Sequence, residues 1–554
     1  MRDFKTFISQ RSITFVPQWR VTLPLLKKQN DSKNKETHTT MQIETMKKWL
    51  RHMLMAFILL HLAGCTSNDL EKMIPADATG AVCIDVPGIL EHAGMLDGSK
   101  VALPEALKQA IDENDTSPLC VLLADLPQLG LDTDSKAYVY FTAKTFARVI
   151  LTQLDDPAKA RKTLAIRVGG DFEKVEGLDC MYVGDNLYAI EGDVLLVGTV
   201  NKAMEVSRAA KAAKNIFSKT AASITDNKAV KKVLHDDAAE VSAWIQGKGL
   251  KYILNKSDVY RELSRKMPLI EIFTESDIDA VTCHIDLEKD EVEMKTNILA
   301  ADNSEYAQLL NSTLGKPSDD VLKAIPNSMD YIFTMSVKGD NFVKLKQIQQ
   351  LLSMFGKIPY IGRIDLASIL ATVDGPFTIG LARDPHLEGE WNMVLATRSK
   401  DPDGVVKQIS TFANAMGQAP EVYDGEYIYQ YENKMIRIGV IDGILYLKVL
   451  DYEQTEGYAY EMQPVRDFFD SALIGIFAQT HNDSVKGYFD FGLESIFDGK
   501  GHFYTNQPKA NATLELLCSL CSIKTGDNFG NEQDEDDGIS SFVSGAIDKL
   551  QPLE

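Results

Sequence analysis

Apolar and polar residues alternate with a period of two through much of this chain, and the clearest cases come in pairs. Leu187 to Ile190 precedes Val194 to Val197, and Ile436 to Ile441 precedes Ile444 to Leu450. Glu191-Gly192-Asp193 and Asp442-Gly443 separate the members of each pair, so each reads as a β-hairpin closed by a tight turn. Further strand patterns cover Glu240 to Ile245, Ala280 to Leu287 and Glu291 to Leu299. Their expected counterparts are Ser484 to Phe491 and Ala512 to Ile523. Helical spacing replaces alternation after Asp156-Pro157 and Asp401-Pro402. Asp suits an N-cap and Pro the first helical position, which predicts helices over Ala158 to Arg167 and Gly404 to Met416.

These elements recur in order. IPADATGAVCIDVPG, from Ile74 to Gly88, aligns with IPNSMDYIFTMSVKG, from Ile325 to Gly339, sharing Ile-Pro at the start and Val-x-Gly at the end. Downstream, a strand, Asp-Pro, a helix and a hairpin follow in both copies. Self-similarity on this scale predicts a duplicated unit. Short turns between most strands, with helices in blocks, favour an α+β fold with largely antiparallel sheets over a wound parallel one. The expected layout is a first repeat over residues 72–300, a join over 301–324 and a second repeat over 325–525. Residues 526–554 form an acidic tail, unstructured except for a short helix over Ile539 to Leu550.

Upstream of the first repeat the pattern changes to FILLHLAGC, Phe57 to Cys65. Lys47, Lys48 and Arg51 precede the apolar run from Met53 to Leu62, which falls well short of the roughly 20 residues of a permanent span. Basic start, apolar run and small residues in that order make residues 46–64 a secretory signal. Leu62-Ala63-Gly64-Cys65 resembles the bacterial lipobox, which implies cleavage before Cys65 and acylation of its sulfur and new amino terminus. Several acyl chains give stable anchoring. Residues 65–71 would be the tether, and Thr66-Ser67, with no Asp beside the lipid, resembles an outer-membrane sorting pattern. Residues 1–45 are an upstream extension, with Met41 or Met46 the expected start of translation.

Charge and cysteines narrow the partners. Residues 1–64 hold 11 of the 58 basic and 4 of the 79 acidic side chains, leaving 47 and 75, a formal charge of −28. Phosphate binding needs the opposite sign, so nucleic acid is excluded as a partner. Six cysteines follow Cys65, and Cys83 and Cys283 sit in strand-like apolar runs that suit buried free thiols.

The lipobox, the stretch NDLEKMIPADATGAVCIDVPGILEHAG from Asn68 to Gly94, and a diverged second opening at Ile325-Pro326 together resemble a group of Bacteroidota lipoproteins classed as a domain of unknown function, number 4836. The resemblance extends over Cys65 to Ile523, with the IPADA opening its most specific part. It implies an envelope location and a duplicated body, and brings no catalytic residue or ligand.

Candidate chemistry is sparse. Gly-x-Ser-x-Gly, His-Glu-x-x-His, the phosphate-binding loop and Gly-x-Gly-x-x-Gly are all missing from the sequence. Cys518 and Cys521 have redox spacing, but on the strand expected there they would point to opposite faces. His386 with Glu388 and Glu390, and His235 with Asp236 and Asp237, each offer one histidine among carboxylates, which fits a solvated loop better than a metal site. His284 reads as a packed or surface strand residue. The acidic run Asp534 to Asp537 lacks the end ligands of a calcium loop. Tyr427, Tyr429 and Tyr431 share a strand face beside Tyr423, as a stacking platform or as cross-strand packing, with packing favoured. No catalytic residue, metal ligand or cofactor site is assigned. The expected protein is a lipid-anchored, non-catalytic envelope component that binds an envelope protein or an extracellular ligand. The alternative is a hydrolase of glycan or peptide using a carboxylate pair.

Overall fold

The computed structural model describes residues 69–97, 100–111, 118–142, 144–200, 204–218, 222–235, 239–250, 277–355, 365–383, 391–415, 419–423, 425–431, 434–451, 457–479, 487–505 and 511–521. The first half contributes β1 (Gly80–Asp85), a small separate hairpin of β2 (Leu96–Asp97) and β3 (Lys100–Val101), β4 (Lys136–Phe141), β5 (Phe146–Gln153), β6 (Glu173–Val175), β7 (Leu178–Val183), β8 (Asn186–Glu191), β9 (Val194–Val200), β10 (Val241–Gln246), β11 (Ala280–Leu287) and β12 (Glu291–Leu299). The second contributes β13 (Tyr331–Lys338), β14 (Val373–Arg383), β15 (Trp391–Ser399), β16 (Glu421–Tyr423), β17 (Glu426–Tyr431), β18 (Lys434–Ile441), β19 (Ile444–Asp451), β20 (Ile474–Gln479), β21 (Gly487–Leu493) and β22 (Asp498–Thr505). Helices used below are α1 (Pro157–Val168), α2 (Val206–Phe217), α3 (Pro402–Ala415), α4 (Gln463–Ser471) and α5 (Ala512–Cys521).

Among the described residues, twenty strands form one sheet, and its pairings are antiparallel. From its outer edge the first half runs β6, β7, β8, β9, β5, β4, β1, β10, β11, β12. The second runs β16, β17, β18, β19, β15, β14, β13, β20, β21, β22, the same order element for element. The inner strands β12 and β22 then pair antiparallel, so one seam makes two sheets into one. The fold is α+β, as the alternation and turn spacing predict.

Local chemistry explains why the elements stop and start here. Between β18 and β19, Asp442 and Gly443 take φ values of 50° and 80°, the left-handed pair that a two-residue turn requires. At the start of α1, the Asp156 carboxylate accepts from the amides of Ala158 and Lys159 at 3.1 and 3.0 Å. Asp401 accepts from Gly404 at 3.1 Å at the start of α3. Such caps contribute about 1 kcal/mol each. The repeated Ile-Pro is also structural. Ile74 and Ile325 are fully buried, their carbonyls accept from Ile224 and Ala459 at 3.0 and 2.8 Å, and Pro75 and Pro326 each bridge the segment that enters a 3-10 turn. The closing glycines, Gly88 and Gly339, lie too close to neighbouring atoms for a Cβ.

Alternation divides the strands between two layers. In the first half, Leu187, Ala189 and Leu196 face α2, while Tyr188, Ile190 and Val197 face the opposite cluster, which includes Ala160 and Leu164 of α1. In the second, Tyr446 and Ile444 join the cluster under α4, and Tyr429, Ile438 and Leu445 meet Val405 and Val406 of α3. The residues expected as the join, 301–324, hold a helix over Glu305–Thr313 capped by Ser304, with Tyr306 buried inside. Among the described residues, no helix is long and apolar enough to cross a membrane.

Two expectations are corrected. Ala512 to Ile523 is not a strand: Ala512–Cys521 is α5, with Asn511 accepting at 2.9 Å from Leu514 at its start and Ala512, Leu516 and Leu517 buried at helical spacing. A short apolar run fits either period, and the capping residue decides it. Although α5 follows the second half in sequence, it packs beside the helices Val86–His92 and Glu105–Ala110 of the first. The true counterparts of β10, β11 and β12 are β20, β21 and β22. The strand expected from Ser484 instead runs over Gly487–Leu493, residues 484–486 lying outside the described ones.

Candidate functional site

The seam between the halves carries a cleft of about 880 Å³, floored by β12, β21 and β22 and walled by α4 and the turn after β11. Its floor follows from strand register. Residues paired across an antiparallel sheet share a face, so Asp286, Glu293, His502 and Asp490 form one row across β11, β12, β22 and β21. His284, Lys295, Lys500 and Gly492 form the next. On the opposite face, Val292, Met294 and Phe503 are buried in the apolar cluster that contains α5. One side of the seam is therefore core and the other is a charged floor.

Eight carboxylates line the cleft, against Lys289, Lys500 and His502. Most of the floor is internally paired. Glu293 accepts from Lys295 at 2.5 Å through one oxygen and pairs with Lys500 at 2.7 Å through the other. Burial alone would raise the Glu293 pKa, but these two ammonium groups hold it below the ordinary glutamate value. Lys500 is raised in turn, chiefly by its bond to Glu293. Asp286, on the neighbouring strand, is raised by burial and by the charge of Glu288. Asp490 is almost fully buried and receives both the backbone amide and the Nδ1 of His502, at 3.1 and 2.8 Å. A carboxylate only accepts, so Nδ1 carries a proton, and Nε2 faces Glu291 and Glu293 at 3.9 and 4.0 Å. The imidazole stacks on Tyr504, ring centres 5.3 Å apart.

A histidine oriented by a buried carboxylate is half of a nucleophile-activating arrangement, which also needs a hydroxyl or thiol bonded to the other nitrogen. Among the described residues, the polar contacts of His502 are Asp490, Glu291 and Glu293. No group of three His, Cys, Asp or Glu side chains among the described residues is placed to hold a metal ion. What the arrangement can do is attract and hold positive charge, because eight carboxylates in one concavity focus a negative potential.

Of these groups, His284 alone was singled out from sequence, and it does not line the cleft. The signal lay in EVEMKTNIL and KGHFYT, where charged and apolar residues alternate on strands that pair with each other. The residues that were singled out lie elsewhere. Leu62, Ala63, Gly64 and Cys65 fall outside the described residues, as do His386, Glu388, Glu390, Asp236, Asp237 and the run Asp534 to Asp537. His235 pairs with Glu71, tying a helix end to the chain's first described turn. His284 meets Ser242 at 3.2 Å. Tyr427 and Tyr429 pack against Val405 and Val406 of α3, as cross-strand packing predicts, while Tyr423 is exposed. Cys83, Cys180, Cys283 and Cys518 are buried and unbridged. Cys518 lies in the second half of α5, away from the helix start that activates a redox thiol, and burial pushes its pKa up to about 11.

No family model and no curated protein matches the chain. Among solved structures, crystal form III of TP0453 is similar at 14% identity and a TM-score of 0.28, over 44% of this chain and 86% of that one. Crystal form I of the same protein gives 13% and 0.25, over 42% and 79%. Scores of this size carry no argument about this chain.

Proposed function

We propose that this protein is a non-catalytic cell-envelope lipoprotein, held to the outer membrane by acyl chains on Cys65, whose seam cleft receives a cationic segment of an envelope protein or a cationic extracellular ligand. The observation that supports it most is the imbalance in the cleft, eight carboxylates against two lysines and one histidine. The floor groups best placed for chemistry are already engaged with one another, which suits a rigid receptor. Two measurements test the two parts. Replacing Cys65 with Ala releases the protein from washed membranes. Pentalysine titrated into the lipid-free chain binds saturably, weakens steeply with salt, and binds the Asp467→Asn/Glu494→Gln variant less tightly. Equal binding of pentalysine and a neutral peptide overturns the cleft reading, and membrane retention without Cys65 overturns the anchor.

One observation favours hydrolysis as a second reading. Asp286 and Glu293 are cross-strand neighbours whose pKa values move in opposite directions, the arrangement that separates an acid from a base. Glu293 is clamped by two lysines, however, and a carboxylate that must act as base or nucleophile is poorly served by both. Glycan and peptide turnover abolished by Asp286→Asn would establish the second reading and displace the first.

A further inference from the structure

Within a strongly acidic chain, residues 201–235 carry eight Lys or Arg against only Glu205 and Asp226. They supply α2 and, after the 3-10 turn Ile224–Asp226, the helix Lys228–Leu234. Both helices bury one side in the same apolar cluster, through Ala209, Ala213 and Phe217 of α2 and through Val230 and Leu234 of the shorter helix. Helical spacing then turns Arg208 and Lys211 on the first, and Lys228 and Lys232 on the second, away from the sheet. All four are exposed. Lys231 reaches Glu71 at 3.9 Å, and Lys214 donates to the Glu176 carbonyl at 2.6 Å. No such ion pair engages Arg208, Lys211, Lys228 or Lys232 among the described residues. Asp226 is already occupied at the start of its turn, where it accepts from the Ser223 amide at 2.9 Å.

The first described turn of the chain is seated against this same pair of helices. Asp69–Met73 buries Leu70 in their shared cluster, and Ser223 Oγ donates to the Glu71 carbonyl at 2.9 Å. The Glu71 carboxylate pairs with His235, which caps the shorter helix, as well as with Lys231. Cys65 precedes Asp69 by four residues, a length of chain that spans at most about 14 Å. An acyl anchor on Cys65 therefore brings a bilayer surface to the basic helices before any other part of the body.

We propose that the outer faces of α2 and of Lys228–Leu234 form a second membrane contact, binding the phosphate headgroups of an anionic phospholipid surface beside the lipid anchor. The inference rests on the anchored reading above and adds to it a docked orientation of the body. Two features select this occupant. The cations stand along the outside of two helices, which suits a broad sheet of phosphates, whereas a small anion is held by groups that converge in a concavity. The short tether also places this face, rather than another, at the membrane. Acyl chains with a basic patch are a paired anchoring signal, and each Lys or Arg near an anionic bilayer strengthens the contact. An acidic body is otherwise repelled by such a surface, so attraction confined to one face docks the protein in one orientation.

The test is co-sedimentation of the lipid-free chain from residue 65 onward, carrying Cys65→Ser and keeping every described residue, with vesicles of phosphatidylcholine alone or mixed with phosphatidylglycerol. Binding to the anionic vesicles is expected to be at least about tenfold tighter, and high salt abolishes the preference. Arg208→Gln/Lys211→Gln/Lys228→Gln/Lys232→Gln removes it, and Arg208→Lys/Lys211→Arg/Lys228→Arg/Lys232→Arg keeps it. Lys162→Gln/Lys248→Gln/Lys346→Gln/Lys407→Gln, an equal loss of charge at exposed positions elsewhere, also keeps it. Equal binding to both vesicles, no binding, or a preference that survives loss of the four cations overturns the proposal. So does polyglutamate that binds through these cations where anionic vesicles do not, since the partner would then be an acidic polypeptide. Release of Cys65→Ala from cell membranes with no vesicle preference would sink this inference alone. Retention of Cys65→Ala on membranes washed at high salt, which screens the basic face, would sink the anchor reading whatever the vesicles show.

Discussion

The β6 to β9 end of the sheet and the β16 to β19 end are the same construction finished in two ways. Under α2 the first is apolar: Leu187, Ala189 and Leu196 are fully buried, and Gly198 leaves room for the Phe146 ring. The second replaces Leu187 with Arg437 and Gly198 with Lys448, and braces them with Glu426 and Tyr446. Strand order is therefore set by hydrogen bonding and turns, which both ends share, while the chemistry of a face follows what covers it. A face sealed by a helix is apolar, whereas one bordered by Tyr446, Tyr458 and Glu426 holds a lysine that is 8% exposed.

Substitutions that exchange the two finishes should show this most strongly. Gly198→Lys drives a side chain into the Phe146 ring, 2.6 Å from an added Cβ, and buries a charge under a helix. It should cost about 4 kcal/mol or more and unfold the first half in urea denaturation. A tolerated Gly198→Lys would mean that α2 does not seal its face.

Smaller effects belong to the seam. Glu293→Gln removes a carboxylate shared by two lysines and should cost about 1–3 kcal/mol at neutral pH. Because the Glu293 pKa is lowered from its ordinary 4.5, its contribution is complete above that value and is lost as pH falls through the depressed one. Asp286, raised from 3.8, works in the opposite sense, easing the folded state as it protonates. Acid denaturation of the wild type and Glu293→Gln should therefore converge at low pH. Curves that stay parallel would remove Glu293 from the account.

Gly443→Ala, at a φ of 80°, should cost about 1–2 kcal/mol, and Gly192→Ala, at 62°, a similar amount, since both hairpin turns need a left-handed residue. Unequal losses would show that the two hairpins are not equivalent. The least effect is expected from Lys448→Met, which should be neutral or stabilising by up to about 1 kcal/mol. A loss there would mean that the lysine stabilises the sheet itself.

Much of the fold was legible because its signals are local. Asp-Gly and Gly-Asp turns, Asp-Pro helix starts and the repeated Ile-Pro each act within a few residues, and each sits where the sequence places it. The seam was not legible. β22, DGKGHFYT, carries three charges or histidines and two glycines and reads as loop until Glu293 and Lys295 of β12 stand opposite His502 and Lys500. Pairing between strands roughly two hundred residues apart leaves no mark in either strand alone, so the cleft built on that pairing was hidden with it. The helix Ala512–Cys521 is hidden for a different reason: LELLCSLC satisfies both periods, and the residue that decides between them, the cap Asn511, precedes the apolar run.

Hydroxyl-radical footprinting of the purified full chain tests the contrast between the two ends most directly. Tyr423 and Tyr458 should be modified at rates typical of exposed tyrosine, while Leu187 and Phe217 remain protected until α2 is unfolded by denaturant. Equal protection of Tyr423, Tyr458, Leu187 and Phe217 in the native chain would contradict the account, because the outermost strands of the second half would then be covered as those of the first are.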